Sequence, residues 1–215
     1  GVLGEILHTE GAYIHNLEPF WDNYADNWRL DFNQQNSGDV YPTHGFGPCC
    51  WALDIHRGDR LKNLSAMTTK SVNGLRLAKD KMGLGDFANG DHTTTSITTE
   101  KGKTILVEHN VLTPRPYNRM YQLTGSEGFV NKYPIQGITL VEGKVDPALH
   151  GNKPLDGHRF LPTEYMNNVL EAYKHPIHQE IEEKAKKIGG HGGMDFVMDY
   201  RLVYCLQNGL PLDQD

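Results

Sequence analysis

Residues 38–48 read GDVYPTHGFGP and gather a phenol, a hydroxyl and an imidazole between glycines and prolines. His44 can take up or release a proton near neutral pH, and Tyr41 can donate to or accept from a polarised oxygen. Pro42 fixes its own φ and biases Tyr41 toward extended backbone, while Gly45 and Gly47 relax steric limits just behind His44. The next stretch, GPCCWALDIHRG, is predicted to be helical, with Pro48 in its first turn and Gly58 as its stop. Such a helix turns the partial positive charge of its N-terminus toward the loop. The pattern suits proton transfer at a small polar ligand. It suits equally a loop whose polar groups satisfy one another.

Other chemistries find less support. GLGDFA at 83–88 matches G-x-G-x-x-A, but it follows a predicted helix, whereas a dinucleotide fingerprint needs a strand-to-helix turn. It reads as a turn. The 11 histidines form no H-E-x-x-H and no tight cluster with Cys or Asp, and Pro176 separates His175 from His178. With 27 acidic residues some carboxylate pair is inevitable, yet none is singled out for glycosidic acid–base work. No G-x-S-x-G occurs. Cys49, Cys50 and Cys205 make no disulfide or zinc pattern and read as buried thiols.

The elements that must hold the 38–48 segment alternate in type. GEILHTEGAYIH opens as a strand, and a loop rich in Trp, Asn and Asp is expected over 16–37. RLKNLSAMTTKS reads as a strand, and NGLRLAKDKMG as a short helix with Asn73 as cap and Gly83 as stop. Two β-branched runs flank Lys101-Gly102 in DHTTTSITTEKGKTILVEHNVL, a hairpin signal repeated around TGSEG in RMYQLTGSEGFVNKYP. QGITLVEG adds a strand, 143–162 reads as a long surface loop, and three helices follow from Pro162 to Gly209. The expected class is α+β: one open, largely antiparallel mixed sheet with helices on one face, within a single domain spanning 1–215. The uncovered face would meet solvent, another domain or a second copy of the chain.

Composition narrows the partners. Lys and Arg number 21 against 27 Asp and Glu, a formal charge of −6 without a basic stripe, which argues against nucleic acid. No apolar run approaches the roughly 20 residues of a membrane span. An apolar share of 38% is low, in keeping with a face that needs a partner. The chain opens GVLGEILH inside a strand-like run and stops at NGLPLDQD, as a piece of a longer protein would.

NWRL at 27–30, GDVYPTHGFGP, LDIHRGDRLKNLSAM, TPRPYNRMYQLTGSEGF and GGHGGMDFVMDYRLVYCLQNGLPLD together resemble glycoside hydrolase family 109. That family holds NAD-dependent α-N-acetylgalactosaminidases of the Gfo/Idh/MocA oxidoreductase superfamily. The resemblance spans residues 3–215 and implies the C-terminal substrate and oligomerisation domain of a two-domain bacterial enzyme. NAD would be held by an N-terminal Rossmann domain not contained in this chain. Compartment would be set upstream, where an export signal to the periplasm could stand.

By resemblance, Arg29 contacts the sugar. Tyr41, Pro42, Thr43 and His44 form a sugar-binding loop, with Tyr41 also near the nicotinamide. Tyr117 is a further sugar contact, and His191 and Gly192 line the same cleft. One more family tyrosine falls on Tyr13 or Tyr24. The superfamily's acid four residues before the loop histidine is Val40 here, with Asp39 five before, so an Asp39–His44 pair is not expected. The implied reaction is hydride transfer from C3 of the sugar, loss of the C2 proton, departure of the aglycone, addition of water and return of the hydride. His44 and Tyr41 are the residues expected to handle the proton and the enolate oxygen. A sugar or polyol dehydrogenase, and a non-catalytic sugar-binding or dimerisation module, are the alternatives.

Overall fold

The computed structural model describes residues 1–23 and 28–212, which divide into two compact units. The first comprises Gly1–Pro147 with Lys153–Leu161, and the second Ala148–Asn152 with the chain from Pro162 on.

The first unit is built on a seven-stranded open sheet: β1 (Ile6–Ile14), β2 (Leu61–Thr68), β3 (Thr93–Thr99), β4 (Thr104–Asn110), β5 (Asn118–Gly125), β6 (Gly128–Asn131) and β7 (Gly137–Leu140). Their order is β2-β3-β4-β1-β5-β6-β7. β1 lies parallel to β4, and the remaining neighbours are antiparallel. The expected mixed, largely antiparallel sheet is therefore present. Both predicted hairpins form: Gly102 turns β3 into β4 with φ 80°, and Ser126 with Glu127 join β5 to β6.

Period-two alternation sorts the two faces of the sheet. Thr95, Ile97, Ile105 and Val107 are buried on one face, where Ile97, Ile105 and Val107 pack with Cys49, Leu53 and Ile55. Ser96 and Thr98 are exposed on the other, and Leu106 and Glu108 are half-buried. Each residue of the edge strand β2 is exposed.

Three helices belong to this unit: α1 (Trp28–Gln35), α2 (Phe46–Ala52) and α3 (Asn73–Met82). The 16–37 segment is not all loop, because a 3-10 turn at Glu18–Asn23 and α1 occupy much of it. Trp21 and Leu30 are buried with Leu77, Ala78 and Phe87, and this burial outweighs the segment's polar composition. α2 stops at Ala52 rather than near Gly58, since Asp54 and His56 adopt left-handed backbone at φ 55° and 64°. Asn73 is the first residue of α3 and not its cap. The Asp91 carboxylate, distant in sequence, accepts the N–H groups of Val72, Asn73 and Gly74 at 2.8–3.1 Å. Gly83 ends α3 in left-handed backbone, as predicted.

The second unit holds α4 (Thr163–Ala172), α5 (Pro176–Ile188) and α6 (Met194–Asn208). Pro176 does not break a helix. It occupies the first turn of α5, where its missing N–H costs nothing, and His175 Nδ1 accepts the Ile177 N–H at 3.2 Å. Ile181 and Ala185 of α5 and Cys205 of α6 are buried, and Gly209 closes α6.

Candidate active site

The YPTH segment is less a loop than the first turn of a helix. Residues 42–45 wind as a turn, and the Phe46 N–H already donates to the Pro42 carbonyl at 2.8 Å. Two glycines seat this turn on the sheet. A Cβ on Gly11 of β1 would stand 2.0 Å from the Gly45 carbonyl oxygen and 2.9 Å from Cys49 Sγ. A Cβ on Gly45 would stand 3.1 Å from the Ala12 backbone. Gly11 leaves no room for any side chain and Gly45 little, and this approach sets His44 against the side chain of the next inward residue, Tyr13.

The result is a tight aromatic group. Tyr13 and Tyr41 have ring centroids 5.1 Å apart, Tyr13 and His44 5.0 Å, and Tyr41 and His44 5.1 Å with planes at 87°. The two contacts of His44 are edge-to-face, and such contacts fix ring orientations beyond what burial alone does. The Arg29 guanidinium of α1 lies 5.6 Å from the Tyr41 ring centroid and 4.9 Å from that of Trp28. A second branch leaves Tyr13 through His15, whose Nδ1 is 3.3 Å from Tyr13 Oη. His15 meets Tyr117 edge-on at 5.3 Å, Tyr117 meets Tyr133 at 6.0 Å, and Arg119 lies 5.3 Å over the Tyr117 ring.

Arg29, Tyr41, His44 and Tyr117 are thus joined through Tyr13 of β1 and His15, the residue just past its end. Tyr13 takes a place in the group, while Tyr24 lies outside the described residues. Pro42 and Thr43 are exposed on the outer side of the turn. Asp39 is not a partner for His44: its carboxylate accepts the Tyr41 N–H at 3.3 Å, and burial raises its pKa. His191 lies in the second unit, where its Nδ1 is 2.9 Å from the Asp195 carboxylate.

Burial, with the Arg119 charge added, pushes the His15 pKa below its ordinary value. Burial likewise raises the Tyr117 phenol. β5 bulges against β1 here, with Met120 and Tyr121 both left-handed at φ 57° and 56°. Bulges of this kind re-aim side chains beside functional sites. The bulge accompanies the Arg119 Nη1 to Tyr121 Oη hydrogen bond at 3.3 Å.

A pocket opens beside these rings, lined by Tyr13, Arg29, Asn33, Tyr41, His109 and Val111 among others. Asn33 is fixed by donating to the Arg29 carbonyl at 2.7 Å and accepting from Asn89 Nδ2 at 2.7 Å. The GLGDFA segment serves this scaffold. At its end, the Ala88 and Asn89 N–H groups donate to the Gln34 and Asn33 carbonyls, and within it Asp86 accepts from Gln34 Nε2. Following a helix end and leading into no helix, it does not fit a pyrophosphate cradle.

Sequence reasoning missed His15, His109, Asn33 and Arg119. A signal existed for one of them: Tyr13 and His15 share a face by period-two spacing, downstream of Gly11. Nothing local marks the others.

Comparison with known proteins places this geometry in a family. The whole chain, residues 1–215, matches the model of the glycosyl hydrolase 109 C-terminal domain. The chain belongs to that family. A glycosyl hydrolase family 109 protein of Porphyromonas gingivalis is 58% identical over 218 residues, covering 100% of this chain and 47% of the relative. Protein 1 of the same family from Bacteroides thetaiotaomicron is 57% identical with the same coverage. The chain therefore spans about half the length of the curated relatives it matches. Among solved structures, levoglucosan dehydrogenase in complex with NADH and levoglucosan aligns with a TM-score of 0.45 at 18% identity, covering 80% of this chain and 49% of that one.

Proposed function

We propose that this chain is the substrate half of an NAD-dependent glycosidase that removes terminal α-linked N-acetylgalactosamine. The observation that carries the reading is the convergence of Arg29, Tyr41 and His44 with Tyr13 beside one pocket, in a chain belonging to family 109. A neutral sugar ring suits a wall of aromatic faces with a few polar tips.

His44 and Tyr41 stand close enough to act on one substrate carbon and its oxygen. One takes the C2 proton and the other donates to the oxygen that becomes negative as that proton leaves, with the two jobs not assigned between them. Arg29 and Tyr117 hold hydroxyls or the acetamido group, and Pro42 and Thr43 shape the rim. NAD, held by a Rossmann domain that we place in the rest of the protein, would supply a hydride acceptor for the sugar, and Tyr41 is the residue of this chain that would stand toward it. The chain associates with a second copy through its open sheet. Exposed Leu64 and Met67 on the edge strand favour that reading.

The test is hydrolysis of an aryl α-N-acetylgalactosaminide. The full-length protein is expected to turn it over with no net NADH release, and this chain alone to be inert. Hydrolysis by the isolated chain without nicotinamide would overturn the proposal. Net NADH production by the full-length protein would make it a sugar dehydrogenase instead.

A further inference from the structure

One inward position of β4 breaks the apolar pattern of its strand. Ile105, Val107 and, just beyond the strand, Val111 are buried aliphatic side chains, and between them stands His109, only 2% exposed. It is the parallel partner of Tyr13 and the antiparallel partner of Thr93. Its ring lies 6.2 Å from the Tyr13 ring, and it lines the same pocket as Arg29 and Tyr41. It brings an imidazole to a lining otherwise made of aromatic, aliphatic, amide and guanidinium side chains. A polar ring on a pocket wall is placed to hydrogen-bond what the pocket receives.

We infer that His109 forms the floor of the sugar pocket and hydrogen-bonds a neutral hydroxyl or the acetamido group of the ligand. The inference rests on the proposed function above and names a residue that neither the motifs nor that reading requires. A neutral imidazole offers one N–H donor and one lone pair, which matches groups that both give and accept. Burial, with His92 nearby, holds the ring's pKa down to about 4, so the ring is neutral at ordinary pH. The inward residues around it, Ile105, Val107 and Val111, are aliphatic, so the strand's own pattern does not call for an imidazole. His109 touches the ligand without serving the proton transfer, so its loss should weaken binding and leave the rate at saturation nearly unchanged.

The experiment compares full-length wild type with His109→Phe and His109→Gln, using calorimetric titration with N-acetylgalactosamine and with galactose. His109→Phe should weaken N-acetylgalactosamine binding by roughly tenfold or more, with KM rising and kcat held, and His109→Gln should recover part of the loss. A penalty with both sugars assigns the bond to a hydroxyl, and a penalty with N-acetylgalactosamine alone assigns it to the acetamido group. Affinity within about twofold of wild type for a folded His109→Phe overturns the inference. Should that variant not fold, imidazole nitrogen shifts of wild-type His109 decide: movement on adding sugar supports it, and no movement overturns it. A full-length protein that binds neither sugar removes the proposed function as well, which distinguishes that failure from the failure of His109 alone.

Discussion

His44 in YPTHGFGP and His191 in GGHGGMD are both followed by glycine just ahead of a helix, and in sequence the two regions look alike. Their surroundings differ. His44 is half-buried among aromatic rings, on a turn pressed to β1 where Gly11 and Gly45 let two backbones meet. The His191 side chain is 72% exposed and faces Asp195, four residues on. The glycines there serve direction: Gly193 starts α6 at φ 99° and lies against the Ala185 backbone of α5. Closeness builds an enclosure in the first region, and left-handed backbone turns one helix into the next in the second. Glycine next to histidine is thus no measure of a site. What counts is whether the backbone is brought against something that carries side chains to meet the histidine.

Activity should separate the two regions most. In the full-length protein His44→Ala is expected to lower kcat by about 10²–10⁴-fold, and His191→Ala to cost about tenfold or less. Equal losses would erase the distinction. Stability follows. Gly11→Ala drives a methyl into the Gly45 carbonyl, and we expect a loss of roughly 3 kcal/mol in urea unfolding together with loss of sugar binding. Gly193→Ala strains a left-handed position and should cost about 2 kcal/mol while the sugar still binds. A Gly11→Ala protein with unchanged unfolding midpoint would show that the strand-to-turn contact does not hold the site.

Acid sharpens the contrast further. Folded His109 stays neutral down to about pH 4, whereas an imidazole in the unfolded chain takes its proton near 6.5. Between those values the unfolded state binds more protons, so this stability is complete above pH 6.5 and falls as pH drops toward 4, by about 3 kcal/mol at most. His109→Phe should flatten that part of the profile, and an unchanged slope would place the titration elsewhere. The smallest effect belongs to the second unit. Lys174 and Lys186 hydrogen-bond Glu182 and hold its carboxyl down to about 2. Their contribution is present above pH 4.5 and fades as pH falls toward 2. Lys174→Met should shift the thermal midpoint slightly, and about 1 M salt should erase the difference.

Sequence alone determined what near neighbours decide. The Gly102 and Ser126-Glu127 turns, the Gly83 and Gly209 helix ends and the Pro176 start follow from local backbone preferences, and the ordered motifs carried the family. Tertiary structure decided what depends on distant partners. Asp91 caps α3 from beyond the helix's end, buried Trp21 and Leu30 anchor a segment that reads as loop, and parallel pairing of β1 with β4 sets Tyr13 beside His109 across almost a hundred positions of sequence. Turn and cap energies are set within a few residues of chain. A parallel pairing gains its free energy only when both strands are already present, so no local pattern announces it.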